Sequence, residues 1–366
     1  MNEPATDQRH MCHALSLAGR GLGRTWPNPA VGCVIVQGGR VVGRGRTADG
    51  GRPHAERVAL DMAGDQAKGS TAYVTLEPCA HHGQTPPCAE ALISAEVARV
   101  VVALGDPDPR VSGQGLAALK AAGIEVTDGI LEDRARRLQA GFLSRVTRGR
   151  PHLTLKLALT LDGRIATASG ESRWITGPKA RRRVHAERAR YDAVLVGAGT
   201  AREDDPDLTV RGLGVTRQPV RIVASRHLRL PTTSRLTTGT DTAPVWFAHD
   251  AGTSGDAAAF SDAGVRLLSV PSRGSHLDLA ALLKRLGDEG LTRVFCEGGG
   301  TLAASLLAAD LVDELLVFTA GIAMGAEGQP GIGALGIASL SEAPRFDLEA
   351  VDTVGGDILQ RWVRRD

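Results

Sequence analysis

The sequence predicts an α/β chain folded as two consecutive domains, and three observations lead there. Short β-branched runs alternate with helix-period stretches along most of the chain, the pattern of sheets covered by helices. Its 366 residues exceed the roughly 100–200 expected of one domain. A long charged amphipathic stretch, Leu131 to Val146, ends at Arg148-Gly149-Arg150-Pro151, a polar Gly/Pro break after which a second α/β series begins. The boundary is therefore placed to give domains 1–148 and 149–366.

The elements follow from local pattern. Thr6 to Gly21 carries Met11, Leu15 and Ala18 at helical spacing before Gly21 and Gly23 stop the pattern. Val31 to Val36 and Arg40 to Gly45 flank Gly38-Gly39, a hairpin signal. His54 to Ala67 reads as a helix, Thr71 to Leu76 as a strand, Cys88 to Ala95 as a helix and Arg99 to Leu104 as a strand. Gly113 to Ala122 is helical and Ile124 to Thr127 a short strand, before the charged helix. Past the boundary, strands are expected at His152 to Leu161, Ala193 to Val196, Val220 to Val223, Val245 to Ala248, Arg293 to Cys296 and Glu314 to Thr319. Residues 231–243 and 249–262, rich in Thr, Gly, Asp and Ala, read as surface loops.

Composition removes several classes. Apolar residues make up 42% and charged residues 23%, near the globular average, so neither disorder nor a fibre is indicated. Lys plus Arg (43) nearly balance Asp plus Glu (41) and only 3% of residues are aromatic, so few phosphate stripes or stacking platforms exist. No nucleic-acid or membrane partner is expected. Met1 to Gln8 lacks an apolar signal core and no run reaches the roughly 18–20 residues of a membrane span, which predicts a cytoplasmic protein. Five cysteines, Cys12, Cys33, Cys79, Cys88 and Cys296, are too sparse and odd in number for a disulfide framework.

His54-Ala55-Glu56 opens a helical pattern, and Cys79 and Cys88 follow between a strand and a helix, each preceded by proline. One imidazole and two thiols suit zinc, and three protein ligands leave a fourth position open for water. Residues two apart on a helix do not face each other, so His54 and Glu56 share a site only if the site caps the helix end; Pro53 fits such a start. Pro86-Pro87 would set Cys88 at a helix N-terminus, where the dipole favours thiolate. Glu56 is then placed to shuttle protons between water and a departing amine. The plain alternative is a closed structural zinc site with His81 or His82 as fourth ligand, which has no need of the H-x-E element.

Zinc deaminases usually have two residues between the cysteines; this chain has eight. The longer loop Cys79-Ala80-His81-His82-Gly83-Gln84-Thr85-Pro86-Pro87-Cys88, with Pro27-Asn28-Pro29-Ala30-Val31-Gly32-Cys33 upstream, closely resembles the deaminase half of bifunctional riboflavin biosynthesis proteins over residues 6–147. The resemblance implies a cytidine deaminase-like α/β/α sandwich, a pyrimidine hydrogen-bonded by Asn28, and His81 lining the substrate pocket. Two positions depart from the family, Thr47 in place of His and Gln84 in place of Lys or Arg, both removing potential phosphate contacts.

The second half resembles the reductase half of the same family, of dihydrofolate reductase-like fold. The motifs are Lys156 to Arg164, Ser169 to Thr176, Gly199 to Pro206, Leu208 to Arg211, and Val294 to Leu302. The last reads as strand, glycine turn and helix start, a shape that lets backbone N–H groups meet a phosphate or is simply a tight turn. By resemblance Ala158, Trp174, Thr200, Asp204, Ser225 and the loop Gly299, Gly300, Thr301, Leu302, Ala303, Ala304 and Ser305 would contact NADPH. Ser225 precedes Arg226 where the family usually has Asp-Ser. Ser172, Arg188, Leu208, Arg211 and Glu297 would contact substrate, the arginines suiting a sugar phosphate. Arg181-Arg182-Arg183 reads as a solvated helix face. Lys156 is either a ribose-orienting group or a snorkelling strand lysine.

The resemblance thus implies zinc-dependent deamination of 2,5-diamino-6-(5-phosphoribosylamino)pyrimidin-4(3H)-one, then NADPH reduction of 5-amino-6-(5-phosphoribosylamino)uracil to the ribitylamino product. Small molecules are the expected partners, with a homo-oligomer as the expected assembly. The competing readings are a nucleic-acid editing deaminase, disfavoured by the balanced charge and few aromatics, and a chain with one inactive half, prompted by Thr47 and Gln84.

Overall fold

The computed structural model describes residues 3–80, 86–108, 111–253 and 256–365. The chain divides into two compact units, Met1–Gly149 and Arg150–Asp366.

In the first unit the described elements are α1 (Glu3–Gly19), β1 (Gly32–Gln37), β2 (Arg40–Arg46), α2 (Ala55–Ala63), β3 (Thr71–Val74), α3 (Cys88–Ser94), β4 (Arg99–Val102), α4 (Gln114–Ala121), β5 (Glu125–Thr127) and α5 (Glu132–Arg148). The sheet runs β2-β1-β3-β4-β5. β1 is antiparallel to both β2 and β3, and β3, β4 and β5 are parallel. Gly38 and Gly39 both take positive φ, +54° and +76°, as the two-residue hairpin turn requires. Strands of Val and Ile buried on both faces need helices on both, and they have them: α1 packs with α5 on one side, α2, α3 and α4 on the other. The helix expected from His54 to Ala67 closes earlier, at Ala63, and Gly64 to Ala67 form a tighter 3-10 turn, because Gly64 takes φ +53°.

The second unit contains β6 (His152–Thr160), β7 (Arg164–Ala166), α6 (Pro178–Arg188), β8 (Ala193–Gly197), α7 (Ala198–Asp204), β9 (Val220–Ala224), α8 (Arg235–Thr238), β10 (Val245–His249), α9 (Ala257–Asp262), β11 (Arg266–Ser269), β12 (Ser272–Arg273), β13 (His276–Leu277), α10 (Leu279–Asp288), β14 (Arg293–Cys296), α11 (Gly300–Ala308), β15 (Glu314–Ala320), β16 (Gln329–Pro330), β17 (Phe346–Val354) and β18 (Asp357–Arg364). Among the described residues the main sheet runs β11-β10-β9-β8-β14-β6-β15-β18-β17. It is parallel from β11 to β15 and finishes in the antiparallel β18 and β17. Residues 231–243 and 249–262, expected as loops, contain the short helices α8 and α9. Leu236 and Phe260 there are buried against Phe247, which pulls those turns onto the sheet.

The start of β6 is anchored by Arg150, whose guanidinium donates to both carboxylate oxygens of Asp313 at 2.7 Å, while the N–H of Leu153 donates to the same carboxylate. The loops leaving the carboxyl ends of β6, β8 and β14 carry most of the residues singled out for the second domain. In open parallel sheets that edge is where ligands bind.

Candidate active sites

In the first unit, His54 stands just ahead of α2 in extended conformation (φ −72°, ψ 160°) and Glu56 lies in the first turn. Cys88 is the first residue of α3. The ends of these two helices meet the segment after β3. His54 Nδ1 lies 3.7 Å from Cys79 Sγ and 3.4 Å from Cys88 Sγ, and the backbone N–H of Cys88 donates to Cys79 Sγ at 3.3 Å. All three donor atoms lie within 4.8 Å of one another, a separation suited to one metal ion.

Glu56 is buried, and its Oε2 has no hydrogen-bond partner among the described residues. Burial, and then the charge of Cys79, push its carboxyl up to about 7, against the opposing effect of His54. The Cys88 thiol donates to Cys79 and, with His54 and the Cys88 N–H, brings Cys79 down to about 4 although burial opposes it. Cys88 is driven upward by the same thiol pair and by burial. Hydrogen bonding to Cys79 raises His54, with burial acting the other way. Two sulfurs competing for one negative charge is what a cation at their centre would relieve. The donor set therefore fits zinc, and the orphaned carboxylate oxygen beside it fits a proton-transfer partner.

Asn28 donates from Nδ2 to the Gly51 carbonyl at 2.9 Å, and its own carbonyl accepts from Thr25 Oγ1. Thr47 is buried; its Oγ1 accepts the Val31 N–H at 2.9 Å and donates to the Pro29 carbonyl at 3.1 Å. The residue that departs from the family pattern thus fastens the loop bearing Asn28. His81, His82 and Gln84 lie outside the described residues.

Sequence reasoning passed over Glu77. Its buried carboxylate accepts four backbone N–H groups, from Asp106 and Gly113 on Oε2 and from Gly115 and Leu116 on Oε1. It ties the segment carrying Cys79 to the start of α4. The available signal was a carboxylate two residues before a metal-ligand candidate, at the end of an otherwise apolar strand.

In the second unit, Arg188, at the end of α6, donates to Glu297 through Nε at 2.5 Å and Nη2 at 3.1 Å, and through Nη1 to the Thr209 carbonyl at 2.9 Å. Lys156 Nζ lies 3.9 Å from Glu297 Oε2. Burial opposes ionisation of Glu297, but Arg188 and Lys156 hold it below the usual carboxylate range. Burial lowers Lys156. Lys156, Arg188 and Glu297 are therefore one half-buried cluster, and Leu208, buried at φ +56°, is next to it in sequence through Thr209. Arg211 is 55% exposed and pairs instead with Asp207 at 2.5 Å.

The Gly299 N–H donates to Thr200 Oγ1 at 3.2 Å, joining α7 to the glycine turn. A side chain at Gly300 would sit 2.5 Å from the Pro330 carbonyl oxygen. The close pass of residues 330–333 over the start of α11 is held by the Gly333 N–H to Gly300 carbonyl bond at 3.0 Å. The N–H groups at this helix start fit a phosphate-bearing cofactor. Ala158 and Leu302 are half-buried and Thr301 exposed, and Ser305 Oγ is turned back to the Thr301 carbonyl. Ala303 and Ala304 face the interior instead, and Ser225 is buried at the end of β9. The Asp204 carbonyl accepts from Arg173, and burial raises the Asp204 carboxyl. Ser172 and the exposed Trp174 lie in the loop ahead of α6.

The expectation of a solvated face at Arg181-Arg182-Arg183 holds only for Arg182. Arg181 stacks over Trp174 at 4.5 Å and donates to the Thr176 carbonyl, while Arg183 donates to the buried Glu187 at 2.9 Å. Charged side chains on a helix find partners wherever neighbouring segments offer carbonyls and carboxylates. Asp162 escaped notice too: it accepts the N–H groups of Met324 and Gly325 and the hydroxyl of Thr160, pinning the loop that leads to Pro330.

Residues 4–104 match the family described as the cytidine and deoxycytidylate deaminase zinc-binding region, and residues 151–360 match the RibD C-terminal domain. The riboflavin biosynthesis protein RibD of Escherichia coli (strain K12) is 44% identical over 364 residues, covering 96% of this chain and 98% of that protein. The chain belongs to the RibD family of bifunctional riboflavin biosynthesis proteins. RibD of Aquifex aeolicus is 41% identical over 353 residues, covering 96% and 97% of the two chains. Among solved structures, Acinetobacter baumannii RibD, form 1, superposes with a TM-score of 0.90 at 41% identity, covering all of both chains. A Thermotoga maritima diaminohydroxyphosphoribosylaminopyrimidine deaminase/5-amino-6-(5-phosphoribosylamino)uracil reductase gives 0.88 at 33% identity, again over both whole chains. Like other RibD proteins, the chain is an enzyme with a zinc deaminase domain followed by a reductase domain. No helix among the described residues is long and apolar enough to cross a membrane.

Proposed function

We propose that the first unit removes the ring 2-amino group of 2,5-diamino-6-(5-phosphoribosylamino)pyrimidin-4(3H)-one as ammonia, and that the second reduces the ribose of the resulting 5-amino-6-(5-phosphoribosylamino)uracil to ribityl with NADPH. The observation that carries the first half is the convergence of His54, Cys79 and Cys88 beside a buried, unpartnered carboxylate oxygen of Glu56. These three side chains would hold zinc, which when bound supplies the Lewis acidity that makes water nucleophilic near neutral pH. Glu56 then takes the proton that water gives up and returns one to the leaving nitrogen. A carboxyl already raised by burial is suited to both tasks. Asn28, fixed by Gly51, and His81 would orient the pyrimidine.

NADPH supplies the hydride of the second step. Thr200, Gly299 and Gly300 would receive its phosphates, with Ala158, Trp174 and Asp204 along its length. Lys156, Arg188 and Glu297 would hold the sugar and its phosphate, with Ser172, Leu208 and Arg211 completing the substrate site. Glu297 and Arg188 restrain one another, so each presents its remaining hydrogen-bonding capacity in a fixed direction, which favours reaction through orientation.

The homo-oligomer is best placed on the edge of the second sheet. Leu348 and Val351 on β17 and Ile358 on β18 are 51%, 53% and 40% exposed. Cross-strand register sets Leu348 opposite Trp362, and Trp362 opposite Leu315 on β15, so the apolar face continues inward. A second copy covering it would take these exposed apolar side chains out of water.

Incubating metal-analysed protein with the diaminopyrimidine substrate, with and without NADPH, tests both halves. Ammonia release without cofactor and NADPH oxidation only after deamination are expected. Absence of ammonia from zinc-loaded protein would remove the deaminase assignment, and absence of NADPH oxidation when the deaminated compound is supplied would remove the reductase assignment.

A further inference from the structure

The parallel strands β8 and β9 are in register, with Gly197 opposite Ala224. Ser225 and Arg226 therefore leave β9 beside the start of α7, the helix that carries Thr200. The main chain there is firmly held: the Arg226 carbonyl accepts from the Asp250 N–H at 3.0 Å and from Thr253 Oγ1 at 2.8 Å, and the Ser225 carbonyl accepts from the Leu228 N–H. The guanidinium is much less engaged. Its Nε is buried with no hydrogen-bond partner among the described residues, and the carboxylate that faces it, Asp250 Oδ2, stays 3.9 Å away. Roughly a third of the Arg226 side chain, 32%, remains open to solvent.

Further basic side chains lie near it in sequence. His227 and Arg229 follow directly and are exposed, and Arg202, on the last turn of α7, donates to the Arg229 carbonyl at 3.3 Å. Against them stands Asp250, whose carboxylate is occupied by the Gly252 N–H at 2.9 Å. At the carboxyl end of β9, next to the helix proposed to hold cofactor, stands a guanidinium whose buried Nε has no hydrogen bond among the described residues and meets its one facing carboxylate only at 3.9 Å. A guanidinium in that state matches a phosphate monoester, which offers several charged acceptors at once; a sugar hydroxyl offers far less.

We propose that Arg226 binds the 2′-phosphate of the cofactor's adenosine and so sets the preference of the reductase unit for NADPH over NADH. The proposal rests on the reductase reading above and adds to it the residue that distinguishes the two dinucleotides. The neighbouring Asp250 faces the guanidinium at 3.9 Å until the phosphate takes its place.

The test is a fluorescence titration of full-length, zinc-loaded protein with NADPH and with NADH, for the wild type, Arg226→Gln and Arg226→Lys. An unshifted thermal unfolding transition of the second unit serves as the control for folding. The wild type is expected to bind NADPH the more tightly. Arg226→Gln should weaken NADPH about tenfold or more, the scale of one charge-assisted contact, and leave NADH within about twofold. Arg226→Lys should fall between, and the salt dependence of NADPH binding should flatten in Arg226→Gln. Equal wild-type affinity for the two cofactors, an unchanged NADPH affinity in Arg226→Gln, or an equal loss for both would overturn the proposal. Binding of NADH alone would assign the site to Asp250 and a ribose hydroxyl. Failure of the wild type to bind either dinucleotide would bring down the reductase reading, and this proposal with it.

Discussion

Glu77 accepts the backbone N–H of Gly115 at 3.0 Å, although the two lie 38 residues apart in sequence, and it does so from a position two residues before Cys79. One carboxylate therefore holds both the segment bearing a metal-ligand candidate and the entry to α4. Glu77→Ala would strand four backbone N–H groups, of which the buried pair, on Asp106 and Gly115, would each cost about 1–3 kcal/mol when left unpaired. The first unit should melt well below the wild type and lose zinc. Glu77→Gln, which keeps the shape but surrenders one acceptor oxygen, should fall between. Thermal unfolding followed alongside metal analysis checks this, and equal melting of all three proteins would contradict it.

Gly51→Ala is expected to act on substrate rather than on metal. A side chain there would come within 2.3 Å of Asn28 Nδ2, at a backbone φ of +91°. Such strain costs on the order of 1–3 kcal/mol, and the simplest relief is displacement of Asn28. The KM for ammonia release should rise while bound zinc stays stoichiometric; a variant with normal KM would show that Asn28 does not meet the pyrimidine.

Removing the metal should separate the two activities. After dialysis against a strong chelator, ammonia release is expected to vanish and to return with added zinc. NADPH oxidation with the deaminated compound should persist, because all the reductase candidates lie within the second unit. Retained deamination in metal-free protein would be incompatible with the role given to His54, Cys79 and Cys88.

Gly300→Ala places a methyl group 2.5 Å from the Pro330 carbonyl oxygen. Overpacking of this kind typically costs about 1–3 kcal/mol of folding stability, and the displaced turn is expected to bind NADPH about tenfold more weakly. Ammonia release should be untouched. Cofactor titration of the purified variant measures the first, and an unaltered affinity would move the cofactor away from this turn.

Much of the central architecture was legible because its strands announce themselves. Val100 to Val102 and Ala193 to Val196 are short apolar runs with no exposed face, as parallel strands between helices must be. His54 at a helix end was legible from Pro53 and from the geometry that sharing a site with Glu56 demands. The edge hairpin β17–β18 was not. Phe346 to Val354 alternates apolar residues with Asp347, Glu349 and Asp352 and buries little, so its pattern is that of a surface segment; only Gly355-Gly356 marked the turn. Arg221 was hidden for the opposite reason. A charged residue inside a strand suggests an outward side chain, yet it is buried and donates to the carbonyls of Gly239 and Ala243 at 2.5 and 2.6 Å. Roles that depend on distant backbone carbonyls or N–H groups leave no local trace in sequence, and Glu77 and Arg221 are both of that kind.

The break at Gly149–Arg150 leaves residues 28 to 88 of one site on one side and residues 156 to 305 of the other on the opposite side. Each proposed catalytic apparatus draws its named residues from one unit. A lesion in one half should therefore spare the chemistry of the other, and the two genetic defects ought to complement when carried on separate copies, provided the compound made by the first is free to diffuse to the second.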